Sequence, residues 1–312
     1  MATPCGATAL LEAATRGDAD LVARLLLRGT AVDELDSIGR TPLMFAGLCG
    51  HTEVVSILLE RGAVVDKLDI NRWSVLTWAI RGGQTKVVAL LLGCGATLDT
   101  HDIDGRSPLM HAALSGRAEI ASLLLEQGAA VDNSGLNGRT ALIWAVRTKN
   151  VAVASLLIDH GAMVDKADMY GRTPLIHAAL LGHAAVVSLL LERGALVDKI
   201  DSYERTALIH AATNGPVEVV SLLLERGAMI DHTDIDGRTA VVWAVRGGPH
   251  LKDVALLLEQ VQAAWTVGET GQLRRMPRFI KERAVTAVLC LKRCSNLPKE
   301  LIDMIIFRCR RV

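Results

Sequence analysis

A repeat of 33 residues runs through most of this chain and limits what it can fold into. Stepping by 33 from Thr173 reaches Thr8, Thr41, Ser74, Ser107, Thr140, Thr206 and Thr239, so every one of these positions is Ser or Thr. Five residues beyond each lies alanine without exception, at Ala13, Ala46, Ala79, Ala112, Ala145, Ala178, Ala211 and Ala244. A fixed period of this length marks a stack of small units, none of which buries its apolar face alone. The stretch DMYGRTPLIHAALLGH (168–183) has the residue types of a metal or catalytic cluster, yet it is one such unit.

Each unit has a physical reading. The Ser or Thr caps a helix by accepting from an orphan backbone N–H, worth about 1 kcal/mol. Pro42, Pro108 and Pro174 follow directly, where their fixed φ suits the first helical turn. The alanines let neighbouring helices approach closely. A glycine (Gly17, Gly50, Gly83, Gly116, Gly182, Gly215, Gly248) is expected to end this first helix. A second helix such as EVVSILLERG follows, with apolar residues on three-and-four spacing, and a further glycine closes it. The remainder, such as AMVDKADMYGR, is polar enough for an extended, hairpin-like turn.

The segments GRTPLMFA (39–46), GRSPLMHA (105–112) and GRTPLIHA (171–178), each followed by a GHxxVVxxLLExGA-like helix, resemble the ankyrin repeat. The resemblance covers Thr8 to Glu259 in eight repeats, beginning near 8, 41, 74, 107, 140, 173, 206 and 239. It implies an all-α solenoid of stacked helix-turn-helix units with hairpin-like fingers and a concave binding face, over residues 1–260. A linker is expected over 261–273 and a basic helical tail over 274–312.

Departures from the family pattern are specific. The histidine of T-P-L-H is replaced by Leu11, Met44, Thr77, Met110, Ile143, Ile176, Ile209 and Val242. The finger glycine becomes Arg72 and Glu204 in two repeats. A positive φ there would cost roughly 1–2 kcal/mol, so those turns are expected to adapt. Repeat five carries Arg147-Thr148-Lys149-Asn150 in place of its glycine turn, and repeat eight inserts a residue around Gly247-Gly248-Pro249, as if ending the stack. The position commonly Asn after the second helix is Asp33, Asp66, Asp99, Asp132, Asp165, Asp198 and Asp231.

Composition narrows the function classes. Aromatics are only 3% of a chain that is half apolar, which suits close-packed Ala, Leu and Val helices better than a large-cofactor pocket. The net charge of zero hides an asymmetry: residues 272–312 hold eleven Lys/Arg against three Asp/Glu, leaving 23 basic and 31 acidic side chains before them. Six scattered cysteines with no C-x-x-C pair fit reduced thiols in an intracellular, cytoplasmic or nuclear protein. No signal peptide and no membrane span is expected. DIDG at 102–105 and 234–237 mimics the start of a calcium loop but lacks the downstream ligands. Phosphate loops and nucleophile elbows are missing too, so no catalytic residue, cofactor or metal is expected.

Two columns are candidates for binding a partner protein. Four residues after each cap come Glu12, Phe45, Trp78, His111, Trp144, His177, His210 and Trp243. These rings either fill space between helices or form a semi-aromatic floor on the concave side, where Trp and His offer polar edges. The second column is the finger tips, where Ile70, Ile103, Met169, Tyr170, Tyr203 and Ile235 stand in place of the usual polar turn residues. They either mark an interface or fold back on their neighbours.

The tail after VGETGQ (267–272) reads as two short amphipathic helices, too small for a core of their own. Leu297, Pro298, Glu300, Leu301 and Ile305 match the L-P-x-E-[LI]-x-x-x-I opening of an F-box, and a helix pair after ankyrin repeats also resembles a SOCS box. Either resemblance implies a substrate receptor for a cullin-type ubiquitin ligase, with Leu297, Pro298, Leu301, Ile302 and Ile305 meeting the adaptor. A plain cap on the stack and a basic contact with nucleic acid or membrane are the other readings. Nucleic acid is disfavoured, because the tail lacks regular aromatic interleaving.

Overall fold

A computed structural model describes residues 9–269, and among these the secondary structure is entirely helical. The F-box-like residues Leu297, Pro298, Leu301, Ile302 and Ile305 lie outside the described residues, as does the cap Thr8. Two compact units divide the chain after Met169. The first holds five helix pairs: α1 (Ala9–Arg16) with α2 (Ala19–Leu27), α3 (Pro42–Cys49) with α4 (Thr52–Glu60), α5 (Val75–Gly82) with α6 (Thr85–Gly93), α7 (Pro108–Leu114) with α8 (Ala118–Glu126), and α9 (Ala141–Arg147) with α10 (Val151–Asp159). The second holds three: α11 (Pro174–Leu181) with α12 (Ala184–Glu192), α13 (Ala207–Asn214) with α14 (Val217–Glu225), and α15 (Ala240–Arg246) with α16 (Lys252–Glu269).

The 33-residue period appears directly in the packing. Within the first unit α1, α3, α5, α7 and α9 pack one on the next, as do α11, α13 and α15 within the second. A first helix meets neighbours on several sides, and α11 accordingly buries Pro174, Leu175, Ile176, His177, Ala178 and Ala179 in one run. A second helix buries only a stripe: Val186, Val187 and Leu190 in α12, and Val54, Val55 and Leu58 in α4. The alanines from Ala13 to Ala244 are all at most 1% exposed, since a larger side chain there would separate adjacent helices. At every described cap the Ser or Thr side chain accepts from the backbone N–H three residues on, as Thr41 does from Met44 and Thr173 from Ile176. The residues replacing the family histidine are buried from Leu11 to Ile209, whereas Val242 reaches the surface.

Two local expectations are corrected, and one cap differs in form. The turns at Arg72 and Glu204 do not adapt: both residues keep a left-handed backbone, at φ 60° and 56°, and so does Lys149 in repeat five at 59°. Hydrogen bonds on either side of the turn enforce this. Arg72 N donates to Asp69 O and Asp69 N to Trp73 O, with the matching pair at Glu204 and Asp201. Gly215 ends α13 as expected, though in an extended conformation, its φ of −81° and ψ of 154° being those forced on a residue before proline, here Pro216. Finally, a 3-10 turn at Pro249–Leu251 leads into α16, which runs through residues 261–269 where a linker was expected. Val254, Leu257, Leu258 and Val261 bury one face of that helix.

Candidate protein interface

Six of the seven fingers carry an aspartate three residues before the finger glycine position, which organises the side chains around it: Asp36, Asp69, Asp102, Asp168, Asp201 and Asp234. Its first carboxylate oxygen accepts two backbone N–H groups, two and four residues on, which closes the turn. Asp102 accepts from Asp104 and Arg106 at 2.9 and 2.8 Å, and Asp234 from Asp236 and Arg238 at 3.1 and 2.9 Å. In four repeats its second oxygen faces the polar edge of the first-helix ring nine residues on. Trp78 Nε1 donates to Asp69 at 3.2 Å, and Trp243 Nε1 to Asp234 at 2.9 Å. His111 Nε2 lies 3.0 Å from Asp102, and His210 Nε2 lies 2.7 Å from Asp201.

This pairing changes the reading of the column. His111, His177 and His210 are buried, so they form no part of a half-exposed floor. In His111 and His210 the polar edge faces the aspartate of the same repeat. Phe45, Trp78, Trp144 and Trp243 are half-buried. An arginine guanidinium lies over each ring: Arg40 is 4.4 Å from the Phe45 centroid and 5.7 Å from Trp78, and Arg205 is 4.5 Å from Trp243. At this spacing a cation is attracted by the ring face.

Four of these aspartates, Asp36, Asp102, Asp201 and Asp234, are held below the usual carboxylate range. Burial opposes charge on Asp201, but hydrogen bonds from His210 and from the Arg205 and Tyr203 amides, with the charge of His210, bring its pKa down to about 2. For Asp102, burial is likewise outweighed by the His111 bond, the Arg106 amide and the charges of His111 and Arg106, and its pKa is lowered. Asp36 and Asp234 are lowered on the same balance, against burial, by Arg40 and by the Arg238 amide with Trp243. A different aspartate column links one repeat to the next. Asp33 accepts from Val64 N, Asp132 from Met163 N and Asp198 from Met229 N.

The finger tips are apolar and exposed. In the first unit Ile70, Ile103, Leu136 and Met169 are 63, 55, 73 and 59% exposed; in the second Tyr170, Tyr203 and Ile235 are exposed as well. A backbone hydrogen bond ties each tip to the next. Ile70 N donates to Ile38 O, Ile103 N to Asn71 O, Leu136 N to Asp104 O and Met169 N to Asn137 O. In the second unit Ser202 N donates to Tyr170 O and Ile235 N to Tyr203 O. The turns are thus fixed by their backbones, and these side chains are not needed to hold them.

The organising aspartates escaped the sequence reading, which noted two of them only as calcium-loop mimics. Stepping by 33 would have found them, with one gap at Gly135. Among the described residues no group of three or more His, Cys, Asp or Glu could hold a metal ion, and no helix is long and apolar enough to cross a membrane.

The repeats match the family model for ankyrin repeats over residues 1–69, 61–135, 127–201 and 194–264. The chain belongs to the ankyrin-repeat family, whose members are protein–protein interaction modules. Among solved structures it is similar to the human ASB11 ankyrin repeat domain, with 28% identity and a TM-score of 0.66, covering 72% of this chain and 99% of that one. Comparison with curated proteins found no match.

Proposed function

We propose that the chain is a non-enzymatic adaptor that binds another protein chiefly through its finger tips. The observation that carries this reading is the row of exposed apolar tips, Ile70, Ile103, Leu136 and Met169 in one unit and Tyr170, Tyr203 and Ile235 in the other. Exposed apolar groups in a row favour a partner that covers them. The half-buried rings of Phe45, Trp78, Trp144 and Trp243, under their arginines, supply the second contact; the buried histidines take no part. Replacing Tyr170 and Tyr203 by Ser should reduce the proteins captured by the full chain while leaving its melting temperature unchanged. A clear drop in melting temperature with capture intact would show that the tips serve packing.

A second reading rests on the L-P-x-E-L-x-x-x-I run at 297–305. On this reading residues 274–312 deliver the bound protein to a cullin-type ligase through Leu297, Pro298, Leu301, Ile302 and Ile305. Affinity capture with the full chain and with Leu301→Asp and Ile305→Asp variants tests it. Loss of an F-box or SOCS adaptor from the variants alone supports delivery. No ligase component with either form leaves the tail a cap.

A further inference from the structure

Repeat five departs from the finger design at one atom group. Where its neighbours place the organising aspartate, it has Gly135, yet the turn keeps its form: Gly135 N donates to Arg139 O at 3.1 Å, as Asp102 N does to Arg106 O. Repeat eight, 99 residues on, shows what is missing. There Arg205 Nε and Trp243 Nε1 reach Asp234 Oδ2 at 3.4 and 2.9 Å. The equivalent residues in repeat five are Arg106 and Trp144, and both keep their places: Arg106 lies 5.0 Å from the Trp144 ring and Arg139 5.4 Å, against 4.5 and 5.2 Å for Arg205 and Arg238 over Trp243. With no carboxylate at 135, Arg106 Nε and Trp144 Nε1 are buried with no hydrogen-bond partner. The backbone N–H groups of Asn137 and Arg139 have lost the same acceptor.

We propose that the gap at Gly135 is a receptor site for a carboxylate from outside the chain. Two buried donors converge where a carboxylate oxygen sits in repeat eight, and unmet buried donors are unfavourable until an acceptor arrives. A carboxylate matches the fork of Arg106 and accepts from the indole N–H as well. Nearby acids do not fill the position. Arg106 Nη2 pairs with Asp104 at 2.9 Å and its Nη1 lies 3.9 Å from Asp102, while Arg139 Nε lies 3.7 Å from Asp168. Asp104 is about half exposed, so its bond to Arg106 is readily exchanged for an incoming acid. The site lies wholly in the first unit and does not depend on the finger-tip reading.

The test is thermal melting of the full chain in sodium acetate against sodium chloride at equal ionic strength. Acetate should raise the melting temperature by about 2–5 °C near saturation. Gly135→Asp supplies the carboxylate internally, so it should raise the baseline and abolish the acetate response. A Cβ at 135 would lie 3.3 Å from the carbonyl oxygens of Asp104 and Gly105, which must give by a few tenths of an ångström. Trp144→Phe and Arg106→Gln are therefore the second route: both should fold, and each should lose most of the acetate response. No acetate-specific rise in the native chain, or an equal rise in Gly135→Asp or in both Trp144→Phe and Arg106→Gln, overturns the proposal. Capped Ala-Glu-Ala peptide and its Gln counterpart identify the source. With the acetate response in hand, a further response to the Glu peptide and none to its Gln counterpart assigns the site to a protein side chain, and a response to acetate with none to the Glu peptide assigns it to a small free acid. Tyr170→Ser with Tyr203→Ser should leave the acetate response unchanged, which separates failure here from failure of the finger-tip reading.

Discussion

Repeats five and eight carry the same arginines, the same tryptophan and the same turn, and differ in whether a carboxylate holds them together. In repeat eight Asp234 gathers two backbone amides, an indole and a guanidinium. In repeat five Gly135 offers the equivalent groups no carboxylate, and the turn keeps its backbone hydrogen bonds. The finger's shape therefore comes from the backbone, while the aspartate fastens the finger to the first helix. One repeat can give up that fastening without losing the fold, because stacking buries its helix in any case: Leu142, Ile143, Ala145 and Val146 are at most 1% exposed.

The comparison breaks most directly at Asp234. Asp234→Ala strands three or more donors in repeat eight and should cost about 2–4 kcal/mol, measured by chemical denaturation. A cost below about 0.5 kcal/mol would mean the fastening is idle even where it is complete. Acid tests the same bond in the second unit. Because the Asp201 pKa is lowered, its contribution is complete above the unfolded carboxylate range near pH 4 and is lost as pH falls towards about 2. Asp201→Asn should flatten that part of the stability–pH curve, and an unchanged slope would remove Asp201 as its source. Next comes the tryptophan pair. Trp243→Phe loses a made hydrogen bond and should cost about 1 kcal/mol more than Trp144→Phe, whose indole N–H has no partner. Equal costs would erase the distinction between the repeats. The smallest effect concerns the turns themselves. Glu204→Gly, Arg72→Gly and Lys149→Gly should each stabilise by about 1 kcal/mol, since a left-handed backbone is free of strain only in glycine. Destabilisation of all three would mean that their side chains hold the turns.

Much of the fold was legible because the period repeats a physical rule. A capping hydroxyl, a small alanine and a terminating glycine act within a few residues of one another, so Thr173, Ala178 and Gly182 could be assigned without a tertiary structure. Local chemistry also warned of Arg72 and Glu204, but not of the outcome, because the turns are held left-handed by their own backbone hydrogen bonds while further bonds at Ile70, Ile103, Ser202 and Ile235 tie each finger to its neighbour. The interface was half legible. Exposure of Ile103 or Tyr203 follows from the tip of a short turn. The fate of His111 and Trp144 does not, since each depends on the residue nine places earlier. His111 meets Asp102 and is withdrawn into the core, whereas Trp144 finds Gly135 and is left with an unmet donor. The sequence by itself determined the repeat, its helices and its caps, all of which arise from contacts a few residues apart. Only the tertiary structure decided which polar edges were satisfied, because a hydrogen bond depends on where folding sets its acceptor.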